Sequence, residues 1–103
     1  MSEYQFSLVT PAGKIFDEKI TSLVAPGVEG ALGVLGHHAP MITLLKKGIV
    51  SLSHQGREVY FAIRDGILEV SSQNNVLLLA SLAVRAQDMA DAKEKVSRLV
   101  KEL

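Results

Sequence analysis

Apolar and polar residues alternate along most of this chain, and the alternation changes period once. From Tyr4 to Thr10 the residues Phe6, Leu8 and Thr10 fall on one face, the period of two that a half-buried strand shows. Pro11-Ala12-Gly13 ends that run. Further β-prone runs are predicted at Lys14–Ile20, Thr21–Ala25, Met41–Leu45, Ile49–Ser53, Glu58–Ile63, Ile67–Val70 and Val76–Leu82. Turn chemistry separates them: Pro26-Gly27, Lys46-Lys47-Gly48, His54-Gln55-Gly56-Arg57, Arg64-Asp65-Gly66 and Ser72-Gln73-Asn74-Asn75. Asp-Gly and Asn-Asn suit tight turns. Short strands at this spacing predict an antiparallel sandwich or barrel.

After Leu82 the period becomes helical. Met89, Ala92, Val96, Leu99, Val100 and Leu103 recur in steps that make one stripe on an α-helix. Asp88 is placed to cap its N-terminus, and Asp91 adds negative charge to the first turn, where the helix dipole favours it. Asp91–Lys95, Glu94–Arg98 and Arg98–Glu102 are opposite-charge pairs one turn apart, each contributing about 0.2–0.5 kcal/mol. A single helix of this length is marginal alone in water. Its stripe therefore needs a surface, either the sandwich or another protein.

Residues 27–43 break both patterns. Glycines fall at Gly27, Gly30, Gly33 and Gly36, and His37-His38-Ala39-Pro40 leads into the next apolar run. Glycine serves where backbone takes φ > 0 or approaches something closely, so the stretch reads as a shaped surface loop rather than a helix or a slack linker. It is not a phosphate loop, because no Gly-Lys-Ser/Thr follows the glycines. Nor is it a dinucleotide loop, because its spacing is G-x-x-G and a β-segment follows rather than a helix. Adjacent residues on an extended chain point to opposite faces, so His37 and His38 are not expected to share a metal ion. One is expected to hydrogen-bond within the loop and the other to be solvated.

Composition narrows the classes further. The chain has 103 residues, enough for one domain, and 48% hydrophobic content argues against disorder. Eleven basic and eleven acidic residues balance to +0, which removes the electrostatic case for nucleic acid or anionic lipid as partner. Cysteine is absent, and with it disulfides and thiolate chemistry. Apolar runs such as Val76–Ala80 are too short to span a bilayer, so no direct membrane insertion is expected. Met1-Ser2-Glu3-Tyr4 shows no signal peptide. No nucleophile elbow occurs. Ser51, Ser53, Ser71 and Ser72 sit at strand edges and turns, and Asp17-Glu18 beside Lys19 reads as a solvated turn. No catalytic residue and no metal site is assigned.

Three motifs, in order, resemble the epsilon subunit of F-type ATP synthases from Tyr4 to about Lys95. The family's loop reads approximately G-x-E-G-E-L-G-V-L-P-G-H-A-P-L-L-T-x-L-K-P-G, against the run from Gly27 to Gly48 here. Asp65-Gly66-Ile67-Leu68-Glu69-Val70 looks like the family's G-G-I-L-E-V strand, and Ala83-Val84-Arg85-Ala86-Gln87-Asp88 like its A-I-R-G-Q-D junction. The resemblance implies a mainly β chain with C-terminal α: a flattened antiparallel β-sandwich over residues 1–84 and a helical segment over 85–103, ending before the family's second helix. A short epsilon and a truncated one both fit that ending.

The resemblance also implies a function. It is that of a non-catalytic central-stalk (rotor) subunit, coupling proton or sodium movement through the c-ring to the catalytic head by way of gamma. The expected partners are the gamma subunit and the c-subunit ring, with alpha and beta reached through the helix. The expected location is peripheral, at the cytoplasmic face of the bacterial membrane. By resemblance Glu29, Gly30, Ala31, Leu32 and Gly33 face the c-ring, and His38, Ala39, Pro40 and Thr43 face gamma. Ala31 stands where the family has Glu, removing an ionic contact; Gly36-His37 replaces Pro-Gly, and Lys47 replaces Pro. The family's ATP motif, approximately [IL]-D-x-x-R-A, is degenerate at Met89–Glu94. Ala90 replaces its Asp and Lys93 its Arg, leaving Asp91 and Lys93 as the candidate residues of a degenerate motif. A lysine does not reproduce a guanidinium fork, so no ATP cofactor is expected, and with the family's second helix missing the resemblance implies weak or no inhibition of hydrolysis. The alternatives from other classes are a free-standing β-sandwich that binds a small ligand such as a nucleotide, and a metal-dependent double-stranded β-helix enzyme.

Overall fold

Hairpin turns decide which strands meet. The computed structural model describes residues 2–99. Its strands are β1 (Tyr4–Thr10), β2 (Gly13–Ile20), β3 (Ser22–Gly27), β4 (Gly30–Leu35), β5 (Met41–Leu45), β6 (Gly48–His54), β7 (Arg57–Ile63), β8 (Gly66–Val70), β9 (Asn75–Ala80) and β10 (Ala83–Ala86). One helix, α1 (Met89–Leu99), follows. Gln55 and Gly56 take φ of 54° and 75° between β6 and β7, the two left-handed positions of a turn whose twist matches the flanking strands. The strands run in the order β10-β7-β6-β3-β5-β8-β9-β1-β2, with β4 paired to β3 off that path. β3 meets β5 through one pair, Gly27 with Leu45, and there the sheet divides into the two layers of the sandwich.

Alternation along β1 buries Tyr4, Phe6 and Leu8. Phe16 of β2 bridges the layers, its ring 6.0 Å from that of Phe6 and 5.9 Å from that of Phe61 on β7. The first pair is tilted and the second edge-on, the latter an arrangement aromatic rings prefer over a face-to-face sandwich. Among the described residues every buried side chain is apolar or aromatic, and no buried side-chain N or O lacks a hydrogen-bond partner. The Tyr4 hydroxyl donates to the Val34 carbonyl at 2.6 Å, tying β1 to β4, and burial pushes its pKa above the ordinary phenol value.

The sandwich and its single helix agree with the sequence reading, with four corrections. One pair is not antiparallel: β1 runs parallel to β9, from Gln5 with Asn75 to Val9 with Leu79. The hairpin with β8 fixes the direction of β9, and β1 meets it at the junction of two hairpin series. Second, the glycine stretch is not loop throughout. Gly30–Leu35 is strand β4, with Val34 buried, Leu32 half-buried and Ala31, Gly33 and Leu35 outward. Third, Ala83–Ala86 is strand β10 on the edge of β7 and so crosses position 84/85. Fourth, Asp17-Glu18 lies within β2 rather than in a turn.

Helix α1 starts as expected. The Asp88 carboxylate accepts the Asp91 N–H at 2.8 Å, filling an N-terminal donor that the helix cannot satisfy itself. Ala92 and Leu99 are buried against β6, β7 and β10, with Val96 half-buried and Met89 exposed. The sandwich thus supplies the surface the stripe requires. Lys95 meets Asp91 at 2.7 Å and Arg98 meets Glu94 at 3.2 Å. Val100, Leu103 and the Arg98–Glu102 pair lie outside the described residues.

Candidate docking surface

The β3–β4 hairpin turns at Val28-Glu29, with Gly30 at φ 130°. Its tip is held to β5: the Val28 N–H donates to the Leu44 carbonyl at 3.1 Å, and the Lys46 N–H to the Pro26 carbonyl at 2.9 Å. A groove of about 520 Å³ runs between the hairpin and β5, lined among others by Glu29, Ala31, Leu32, Ile42 and Thr43. Thr43 therefore shares one concavity with Glu29, Gly30, Ala31 and Leu32, although the resemblance divides these residues between two partners. Gly33 lies just beyond them on β4.

His38, Ala39 and Pro40 sit elsewhere, in the connection between β4 and β5. That connection is tied to the turn before β9, because the His37 N–H donates to the Asn74 side-chain oxygen at 2.7 Å. His37 takes φ 64° and exposes its ring, while His38 Nδ1 lies 2.7 Å from the Ala39 carbonyl oxygen. One histidine is bonded within the loop and the other solvated, as expected. Among the described residues no three His, Cys, Asp or Glu side chains gather as metal ligands would.

Asp91 and Lys93 are not brought together. The Asp91 carboxylate accepts from Lys95 Nζ at 2.7 Å and from the Gln87 N–H at 2.8 Å. These bonds, the Lys95 one foremost, hold its pKa below the ordinary carboxylate value. Lys93 is exposed, and residues two apart on a helix do not face each other.

A further apolar surface is formed by residues that the sequence reading did not single out. Val9, Leu79, Ile67 and Leu44 are direct cross-strand neighbours on β1, β9, β8 and β5. Of these, Leu44 is 57% exposed, Ile67 42% and Leu79 45%. With Val28 they line a groove of about 600 Å³ in which Asp65 is the one charged residue. A signal existed in the unbroken apolar run Val76–Ala80, because a strand with one wet face should alternate. An exposed apolar row of this kind marks an interaction surface.

Residues 3–86 match the family described as ATP synthase, Delta/Epsilon chain, beta-sandwich domain. The chain belongs to that family. It is 40% identical over 94 residues to the ATP synthase epsilon chain of Pelotomaculum thermopropionicum, covering 91% of this chain and 69% of that one. With the epsilon chain of Xanthomonas oryzae pv. oryzae it shares 42% identity over 106 aligned positions, covering 97% and 75%. Its fold superposes with a TM-score of 0.80 and 21% identity on a chain of the Euglena gracilis mitochondrial ATP synthase, in a structure of OSCP, F1 and c-ring. That superposition covers 99% of this chain but only 64% of the other. A chain of the Tetrahymena thermophila mitochondrial ATP synthase, in a central stalk and c-ring structure, superposes at 0.69 with 14% identity, covering 95% and 93%. This is an epsilon-type chain, a non-catalytic subunit of an ATP synthase. Among its described residues no helix is long and apolar enough to cross a membrane.

Proposed function

We propose that this chain is a rotor element of a proton- or sodium-translocating F-type ATP synthase, transmitting c-ring rotation to the catalytic head through gamma. The observation that carries the reading is the apolar row Val9–Leu79–Ile67–Leu44, which a working subunit would cover with protein. The fold likeness to chains in c-ring and central-stalk structures supports it. In this reading the subunit is peripheral, at the cytoplasmic face of the bacterial membrane. The hairpin residues Glu29 to Gly33 face the c-ring, and His38, Ala39 and Pro40 face gamma. Thr43, lying in the hairpin groove, is where the two contacts adjoin. The helix reaches alpha and beta only weakly, and inhibition of hydrolysis is weak or absent, because Ala92 and Leu99 of the helix stripe are already buried against the sandwich.

The test is recovery of partners by the tagged chain from detergent-solubilised membranes of its host. Gamma and the c-ring are expected with the native chain. They should be lost with the paired substitutions Ile67→Lys and Leu79→Lys, which change exposed positions and leave the circular dichroism spectrum intact. Full recovery by that variant would overturn the reading. Because the chain has no cysteine, single cysteines at Ala31 and Ala39 can report by cross-linking which partner each end meets.

A further inference from the structure

Segments far apart in sequence meet where the connection from β4 to β5 begins. One is the chain leading into β1, with Ser2 and Glu3. Another is the turn after β4, and a third is the turn between β8 and β9. Asn74 of that last turn bonds to both of the others. Its Oδ1 accepts the His37 N–H at 2.7 Å, and its Nδ2 donates to the Glu3 carbonyl at 3.3 Å. These partners lie 37 and 71 residues away along the chain.

Asn74 is itself held in place. The Ser71 N–H donates to the Asn75 carbonyl at 2.8 Å. The Ser71 hydroxyl oxygen accepts the Gln73 and Asn75 N–H groups at 3.2 and 3.3 Å. Within this turn Asn74 takes φ 62°, a left-handed conformation that asparagine tolerates better than most residues. The turn is therefore closed by its own bonds, and both polar ends of the Asn74 amide are left for other segments.

The turn after β4 is less secure. The His38 N–H donates to the Leu35 carbonyl at 3.2 Å, closing a β-turn over Leu35-Gly36-His37-His38. Its third residue, His37, takes φ 64°. A turn of this kind prefers proline second and glycine third, whereas here glycine is second and histidine third. A histidine in the left-handed region is strained, so the local sequence opposes this turn. Gly36 serves the passing N-terminal segment instead, because a Cβ there would lie 2.8 Å from Ser2 Cβ. The bond from Asn74 supplies from outside the hold that the turn's own residues lack.

We propose that Asn74 is the positioning residue of the gamma-facing connection: through the His37 N–H it fixes the turn from which His38, Ala39 and Pro40 are presented. This rests on the reading that the connection faces gamma. A change of backbone at His37 would redirect the three residues that follow it together. A loop ordered before docking avoids the cost of ordering it on contact. Both Asn74 bonds lie at the surface, where water competes for the same groups. Their weight therefore falls on the shape of the turn and little on the stability of the sandwich.

The test compares variants of the full chain. Asn74→Gly accepts the left-handed backbone and removes both bonds, while Asn74→Asp keeps the acceptor for the His37 N–H. Asp88→Ala removes a bond of the same kind at the start of α1. Exchange of the His37 amide in the free chain, followed by NMR, should quicken about tenfold in Asn74→Gly and stay native in Asn74→Asp. Recovery of gamma by the tagged chain from detergent-solubilised host membranes should fall about fivefold or more with Asn74→Gly. It should hold with Asn74→Asp and Asp88→Ala, and both Asn74 variants should keep the native circular dichroism spectrum. Unchanged His37 exchange in Asn74→Gly would overturn the proposal, and so would faster exchange with gamma recovery intact. Failure of Asn74→Asp to rescue would place the hold in the Glu3 bond and overturn the route through His37. An equal loss with Asp88→Ala would assign the effect to general destabilisation and overturn it too. If the native chain recovers no gamma from membranes that contain it, the stalk reading fails and the proposal with it.

Discussion

Gly48→Ala tests the corner that carries the hairpin. Gly48 opens β6 against the ring of Pro26, and a Cβ there would lie 2.6 Å from Pro26 Cβ and 3.0 Å from Cγ. Carbon atoms in ordinary contact stand about 3.5–4.0 Å apart, so the strands must separate by about 1 Å. The proline ring cannot rotate aside, and the Lys46 N–H to Pro26 carbonyl bond of 2.9 Å lies in the way of the shift. Two effects of opposite sign compete. Gly48 is outside the left-handed region, so alanine restricts the unfolded chain at no native strain and contributes about 0.4–1 kcal/mol of stability. Overpacking costs about 1–3 kcal/mol. The net expectation is destabilisation by about 1–2 kcal/mol, or a Tm lower by roughly 5–15 °C for a domain of this size. Thermal and urea unfolding followed by circular dichroism would measure it. Adding Pro26→Gly removes the obstructing ring, and the double-mutant cycle should show coupling of about 1 kcal/mol or more. A Gly48→Ala chain as stable as the native one, or a cost unchanged by Pro26→Gly, would refute the reasoning.

Two further outcomes follow from single side chains. Tyr4→Phe keeps the ring and removes the hydroxyl from the Val34 carbonyl, so stability should fall by about 0.5–1.5 kcal/mol in urea unfolding, with the spectrum of the folded state unchanged. Asp17 accepts from Ser7, Lys14 and Gln5, and these bonds, the Ser7 one foremost, bring its pKa from 3.8 down to about 2. A folded pKa below the unfolded one means that its contribution to stability is present above pH 3.8 and is lost as pH falls through about 2. Carboxyl NMR titration should give that midpoint, and Ser7→Ala should raise it.

What could be read in the sequence was local. β1 shows in the alternation of Phe6 and Leu8, and α1 in the spacing of Ala92 and Leu99 behind an Asp88 cap, because one face of each is buried and the other is wet. β4 was hidden because Gly33 blanks an outward position, leaving Leu32 and Val34 as the only trace of a period of two. β10 has no local signal: Ala83-Val84-Arg85-Ala86 is extended because β7 offers it an edge. The hairpin groove and the apolar row share the same difficulty. Ala31 shares a groove with Ile42, and Leu44 pairs with Ile67, only because of where every other strand has gone. Composition could exclude chemistry, but it could not bring two segments together.

The parallel pairing of β1 with β9 has a consequence for how the chain is made. Gln5 has to wait for Asn75, 70 residues later in synthesis. At about 5–20 residues per second that is roughly 4–14 s. During this interval the N-terminal hairpin can form, since β2 is its next neighbour, but its other flank has no native partner. That flank belongs to a strand carrying Phe6 and Leu8, which the finished fold buries completely. A nascent chain stopped before Asn75 should therefore bind a chaperone or aggregate, and the full chain should do neither. A pairing made late in the order of synthesis thus sequesters the first strand made.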